Sequence, residues 1–196
     1  MRVFLAICFT LFASSAFAHT GVGSASGVIH GFLHPLSGID HILAMIAVGI
    51  LAANLGGRAI WAVPLTFMAL MGVGGFLGIA HVPLPFIELG IALSIIVLGL
   101  AVAAQWDWPI AAAMALVGVF AIFHGHAHGA EMPVDPAGLA YALGFMLAAG
   151  HLHLIGIGIG IGAARLASTR SHAQRLTQFG GAAIAVLGGG VLVGLV

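Results

Sequence analysis

Three histidines and a carboxylate are concentrated in the stretch Phe123 to Glu131, which reads FHGHAHGAE and follows a long apolar segment. In a helix, His124, His128 and Glu131 would share one face because they are spaced by four and then three residues. His126 would point nearly the opposite way. Two imidazoles four residues apart are a familiar way for a helix to offer ligands to one metal ion. The spacing therefore predicts a metal-binding face.

A second polar group, His34, Asp40 and His41, lies at the start of the first long apolar segment. If the helix extends back to His34, then His34 and His41 lie on nearly one face, with Met45 one turn further in. Alternatively, Ser37 is the N-cap and Asp40 is the acid of a capping box, which leaves His34 in the preceding turn. A cap can also serve a metal ion, so both interpretations of Asp40 stay open.

The composition is that of an integral membrane protein. Of the 196 residues, 62% are hydrophobic and 5% are charged, with a mean hydropathy of +1.22, whereas about 25% of residues are charged in soluble domains. The chain has no lysine and a formal net charge of zero. It therefore offers neither a basic face for nucleic acid nor a P-loop lysine, and we expect a protein of the lipid bilayer that binds no nucleic acid.

The N-terminus has the order of a secretory signal. Arg2 precedes a short apolar run, and small residues lead to an A-F-A sequence that ends at Ala18, as in signal-peptide cleavage sites. We predict a signal peptide over residues 1–18 and a mature protein over residues 19–196. The sole cysteine, Cys8, would leave with the signal, so a metal site in the mature chain would have to use nitrogen and oxygen ligands.

Beyond a Gly/Ser-rich connector, six apolar segments have nearly the length that a spanning helix requires. They run over Ser37–Leu55, Ala59–Ile79, Phe86–Ala104, Pro109–Phe123, Ala137–Ala164 and Leu176–Val196. We predict an all-α membrane protein with one domain, a bundle of six transmembrane helices. In the fifth segment, glycines at every second position from Gly156 to Gly162 fit either an unwound stretch that lines a cavity or a tight packing surface.

The arginines predict the orientation of the bundle. Arg58 lies between the first and second segments, and Arg165, Arg170 and Arg175 surround the connection between the fifth and sixth. The positive-inside rule makes this side cytoplasmic. Both mature termini then lie on the periplasmic side of a bacterial inner membrane, as an exported N-terminus also requires.

This topology brings the two polar groups together at the outer face, because the first helix starts there and the fourth ends there. Six residues are then candidate metal ligands: His34, Asp40, His41, His124, His128 and Glu131. Nitrogen and oxygen ligands of this kind favour Ni²⁺, Co²⁺ or Zn²⁺ over Mg²⁺ or Ca²⁺, and the lack of sulfur ligands disfavours Cu(I). The sequence therefore predicts a site for a divalent transition metal ion.

Four other residues are secondary candidates. Met45 lies on the inward stripe of the first helix. His151 and His153, deeper in the fifth helix, either relay an ion or a proton or make structural hydrogen bonds. Signal cleavage would make His19 the first residue, with an α-amine and an imidazole that can chelate a metal ion together, although a disordered tail end is the simpler interpretation.

The motifs H-x5-D-H, at His34 to His41, and F-H-G-x-A-H-G-x-E, at Phe123 to Glu131, resemble those of the HupE/UreJ family of hydrogenase and urease accessory membrane proteins. The resemblance covers the whole chain, and the position of His126 is free in the family pattern. It implies a nickel permease that supplies metal for the maturation of NiFe hydrogenase or urease, with the motif residues essential for transport. We accordingly expect no enzymatic activity and no required cofactor, and maturation proteins are candidate partners.

Two other classes also use histidines within membrane helices. A haem-binding membrane redox protein would need axial imidazoles that face each other across the bundle. A metal chaperone or sensor would bind the ion at the outer face without transporting it. A Soret band would identify the first class, and a transport assay would separate the second from a permease.

Overall fold

A computed structural model describes residues 27–132 and 136–195, which are helical apart from short connections. The predicted signal peptide and His19 lie outside these residues. The helices are α1 (Val28–Ser37), α2 (Ile39–Leu55), α3 (Ala59–Ile79), α4 (Ile87–Ala104), α5 (Ile110–Glu131), α6 (Pro136–Leu166) and α7 (Arg170–Leu192).

Five of these helices, α3 to α7, are long and apolar enough to cross a membrane. The shorter α1 and α2 meet at an angle of 87° and bring the number of candidate spans to six when they are counted together. On α6, the exposed side chains of Leu139, Leu143, Leu147 and Leu154 form a stripe that suits lipid. The described chain is thus all-helical and has the character of a multi-pass membrane protein.

Close backbone contacts join the helices in pairs. An added Cβ at Gly125 of α5 would collide with the carbonyl of Met71 on α3, and one at Gly49 of α2 would collide with the carbonyl of His153 on α6. The same holds between α4 and α7, where Gly99 and Gly181 face each other. Small residues allow helices in a membrane to approach in this way. These three pairs form the frame that carries the polar side chains.

The start of the first predicted segment is corrected. The chain is extended at Gly38, with φ −97° and ψ 119°, and Gly38 is the N-cap of α2 without any side-chain capping bond. The capping box of Ser37 and Asp40 is therefore wrong, and the Ser37 hydroxyl donates to the carbonyl of His34 instead, over 2.6 Å. A continuous helix from His34 to His41 is also wrong, because the chain bends at Gly38.

Two other segments differ from their predicted bounds by at least six residues at one end. The fourth continues to Glu131, since the motif residues pack closely against α3 and keep helical geometry. The sixth begins at Arg170, where the Thr169 hydroxyl accepts a hydrogen bond from the backbone of His172. Its first turns are polar, so a count of apolar residues alone placed the start six residues too late.

The glycine-rich part of α6 is helical throughout, which excludes the unwound alternative. Gly156 approaches Ile46 and Gly49 of α2, and Gly160 approaches Ala53. Gly158 and Gly162 face open space. The alternating glycines therefore form two sets. Gly156 and Gly160, four residues apart, pack against α2, whereas Gly158 and Gly162 do not contact another helix.

Candidate metal centre

The two faces of α5 have different partners at the predicted motif. Gly125 and Gly129 lie against the backbone of α3. His124 and His128, one turn apart, are buried on the other side and reach side chains of α2 and α4. The helix therefore uses its glycines for packing and turns its imidazoles toward the centre of the bundle.

Four imidazoles contact one another at the end of the bundle where α5 finishes, here named the motif end. The ring centroid of His41 lies 4.7 Å from that of His128 and 5.0 Å from that of His124, and His34 lies 4.9 Å from His128. His41, His124 and His128 are at most 8% exposed. We call these four residues the histidine cluster. It joins α1, α2 and α5, as the topology of the sequence predicted.

Asp40 orients one member of the cluster. Its Oδ1 lies 2.9 Å from Nδ1 of His41, so this carboxylate accepts the Nδ1 hydrogen. The Nε2 of a neutral His41 then carries a lone pair and accepts a hydrogen bond from Nε2 of His128, 2.6 Å away. A carboxylate that fixes an imidazole in this way is the usual support of a histidine ligand.

Ser94 of α4 orients a second member, and sequence reasoning did not identify it. The Ser94 hydroxyl donates its only hydrogen to the carbonyl of Ile91, over 2.6 Å. Its oxygen lies 2.9 Å from Nε2 of His124 and must therefore accept the hydrogen from that nitrogen. Nδ1 of a neutral His124 then carries the lone pair, and it has no hydrogen-bond partner in the described chain. The sequence signal was that Ser94 is the only hydroxyl residue of α4, whose other residues are apolar except for Glu88 in its first turn.

Aromatic side chains enclose the histidine cluster, and these too were not predicted. The Phe145 ring lies 4.4 Å from His128 and 6.0 Å from His41, and Tyr141 lies 5.8 Å from His34. These two residues are one turn apart on the inward side of α6, and both are buried. They limit the access of water and lipid to the imidazoles.

Phe67 of α3 also contacts the cluster. It is fully buried, and its ring lies 5.9 Å from His124. The same ring lies 5.2 Å from His153, at 84° between the ring planes. Phe67 therefore contacts both the histidine cluster and the one buried imidazole that lies deeper in the described bundle.

As they stand, no three of the described histidine and acid side chains are arranged to hold one metal ion. The hydrogen bond between His41 and His128 accounts for part of this. Its nitrogens are 2.6 Å apart, whereas two nitrogens bound at right angles to one ion, each at about 2.1 Å, are about 3.0 Å apart. The donor types suit a divalent transition metal ion, but the rings must separate before they can bind one.

The other predicted ligands lie outside the centre of the cluster. Glu131 is the last residue of α5, one turn beyond His128, and is exposed. Met45 is fully buried in the apolar core one turn beyond His41.

His126 is buried on another face of α5, where its Nε2 donates to the carbonyl of Val82 over 2.6 Å. This contact agrees with the prediction that His126 leaves the metal-binding face.

The two deeper histidines of α6 have opposite environments. His151 is exposed, and its ring lies 6.3 Å from that of Phe32 on α1. His153 is 1% exposed, and neither of its ring nitrogens has a hydrogen-bond partner among the described residues. The described chain therefore lacks the structural hydrogen bonds that were one of the two alternatives for His153.

Two comparisons with known proteins identify the same family. A sequence model of the family described as HupE / UreJ protein matches residues 7–191. The chain is 44% identical over 183 residues to Protein HupE of Rhizobium leguminosarum bv. viciae, and the match covers 92% of each chain. No solved structure matches the chain. The family match includes both polar motifs.

Proposed function

This chain belongs to the HupE/UreJ family of hydrogenase and urease accessory proteins, and we propose that it transports Ni²⁺ across the bacterial inner membrane into the cytoplasm. The ion is cargo, and Co²⁺ and Zn²⁺ are competitors because they favour the same ligands. Hydrogenase or urease maturation proteins would receive the metal. The histidine cluster is the observation that carries the proposal.

The cluster has the chemistry that a transport site for such an ion requires. Its imidazoles lie inside a bundle of largely apolar helices, where polar groups are costly and usually functional. Asp40 fixes the tautomer in which the Nε2 lone pair of His41 faces His128, and Ser94 fixes the tautomer in which Nδ1 of His124 carries the lone pair. Borderline ions such as Ni²⁺ prefer imidazole nitrogen. A shared group of oriented imidazoles therefore favours selective capture.

Capture and release both follow from the closed arrangement. An incoming ion must replace the hydrogen bond between His41 and His128, so part of its binding free energy is spent on separating the rings. This lowers the affinity relative to a preformed site. A transport site needs moderate affinity, because the ligands must release what they bind.

The arginines support transport toward the end opposite the cluster. Arg58, Arg165, Arg170 and Arg175 are exposed and lie where α2 ends, α3 begins, α6 ends and α7 begins. The positive-inside rule makes that end cytoplasmic, with both mature termini periplasmic. A membrane potential of 100 mV, negative inside, then favours import of a divalent cation by about 4.6 kcal/mol, twice the value for one charge. Facilitated diffusion is therefore sufficient.

The packing disfavours the haem alternative. The four imidazoles contact one another and are covered by Phe145, Tyr141 and Phe67. An axial pair would instead need to face each other across a planar macrocycle. The buried position of the cluster also argues for a pathway, since a chaperone or sensor would serve better with ligands at the surface.

The test is metal uptake by purified protein in liposomes under an imposed potential, with Ni²⁺, Co²⁺ and Zn²⁺ measured separately. We expect potential-dependent uptake with Ni²⁺ preferred, and its loss in His124→Ala. His81→Ala, which alters an exposed histidine, is the matched control and should transport normally. Binding of Ni²⁺ without uptake by the wild-type protein would assign a chaperone or sensor role instead.

A further inference from the structure

His153 lies in the interior of the bundle without the support that the other buried histidines have. It is 1% exposed, and neither ring nitrogen has a hydrogen-bond partner in the described chain. An unsatisfied buried polar group lowers stability. Most buried polar groups are paired, so an exception calls for an explanation. A role in function is one such explanation for an imidazole inside a membrane protein.

The position of His153 continues the line of the histidine cluster. Tyr141, Phe145, Ala149 and His153 are spaced by four residues on α6, and all four are buried. Tyr141 and Phe145 contact the cluster. His153 lies eight residues beyond Phe145, which is about 12 Å along a helix. It is therefore further from the motif end on the same inward stripe.

One aromatic ring contacts both His153 and the cluster. The Phe67 side chain contacts His124 with a centroid distance of 5.9 Å and His153 with one of 5.2 Å. Nδ1 of His124 has no hydrogen-bond partner in the described chain. Every tautomer of a neutral His153 likewise has one ring nitrogen with a free lone pair. Two imidazoles, each with a ring nitrogen that has no hydrogen-bond partner in the described chain, thus contact the same aromatic side chain.

From this arrangement we propose that His153 is an inner binding position for the transported divalent transition metal ion, which reaches it from His124 past the ring of Phe67. The inference rests on the proposed transport function. One imidazole holds such an ion weakly, as a position that is occupied in passing requires. It also gives the ion a ligand in a stretch of the interior that is otherwise apolar.

His151 provides a matched control because it lies two residues away on the same helix and is exposed. The experiment compares Ni²⁺ uptake by the full-length wild-type protein, His153→Phe, His153→Ala and His151→Phe in liposomes. We expect the maximal uptake rate to fall at least about tenfold in both His153 variants, by analogy with the loss of a metal-supporting residue. The Ni²⁺ concentration for half-maximal uptake should stay the same, because capture occurs at the cluster. His151→Phe should remain within about twofold of wild type.

A second variant separates ligation from a purely structural role. His153→Met replaces nitrogen with a softer thioether, which favours softer ions. We expect the ratio of Cd²⁺ uptake to Ni²⁺ uptake to rise by at least about threefold relative to wild type, and His151→Met to leave it unchanged. Wild-type uptake rates in both His153→Phe and His153→Ala, or an unchanged ratio in His153→Met, would overturn the inner position alone. Absence of uptake by wild-type protein would overturn the transport function, and the inner position with it.

Discussion

The histidine cluster and His153 lie in the same bundle interior, but their imidazoles are supported differently. Asp40 and Ser94 each accept a hydrogen from a cluster imidazole, whereas His153 has no hydrogen-bond partner in the described chain. An oriented imidazole keeps its lone pair in one direction. An unoriented one imposes little selectivity. Under the proposed transport function, this contrast assigns selection to the motif end and passage to the deeper interior.

Removal of the His41 imidazole is the most severe test of the cluster. His41→Ala removes the partner of Asp40 and His128 and a ring contact of His124 at once. We expect Ni²⁺ uptake in liposomes to fall at least about 100-fold, since residues that merely orient a ligand already contribute about 10–100-fold. His172→Ala, at an exposed position on α7, should transport normally. A loss of less than tenfold in His41→Ala would place selection elsewhere.

Removal of the carboxylate tests whether orientation produces the difference between the two regions. Asp40→Ala leaves the Nδ1 hydrogen of His41 without its acceptor, and we expect Ni²⁺ binding, measured by equilibrium dialysis, to weaken by about 10–100-fold. Asp40→Asn keeps an acceptor oxygen and should lose less. If Asp40→Asn binds Ni²⁺ as weakly as Asp40→Ala, the charge of Asp40 matters and its hydrogen bond does not.

Replacement of Ser94 tests the second oriented imidazole of the cluster, His124, and should have a smaller effect. Ser94→Ala frees the His124 ring from its acceptor, and we expect the Ni²⁺ concentration for half-maximal uptake to rise about tenfold. The Ser168→Ala variant, at an exposed serine that bonds to His172, is the matched control. An unaltered concentration dependence in Ser94→Ala would mean that packing alone holds His124.

The smallest effects are expected at the glycines of α6. An added methyl at Gly156 meets the backbone of α2, whereas at Gly158 it meets open space. We expect Gly156→Ala to lower the free energy of unfolding by about 1–3 kcal/mol through overpacking. Gly158→Ala should leave it unchanged or raise it slightly. Thermal unfolding in detergent measures both, and equal effects would contradict the packing of Gly156 against α2.

Local spacing identified much of the centre from the sequence. The four-residue interval between His124 and His128 placed both on one face of α5, and the same phase excluded His126. The alternation of membrane crossings then brought His41 to them. These inferences succeeded because helical geometry repeats regularly and the bilayer limits the topology.

Other features depend on contacts that one sequence does not specify. The chain bends at Gly38 and α1 packs on α6, and because the sequence specifies neither feature, it left His34 between two interpretations. Ser94 is a single small residue whose role depends on a histidine 30 positions away. The alternating glycines likewise could not be assigned before their partner helix was known, because packing and unwinding share the same composition.

The paired helices have a mechanical consequence for the centre. His41 belongs to the α2–α6 pair, His124 and His128 to the α3–α5 pair, and Ser94 to the α4–α7 pair. The cluster and the Ser94 hydroxyl that it contacts thus lie where these three helix pairs meet. A small tilt of one helix pair relative to another would change the distances between the imidazole nitrogens of the cluster. The close glycine contacts within each pair would be kept. Under the proposed transport function, a change in bilayer thickness, which tilts helices, would therefore alter the affinity of the cluster for its ion.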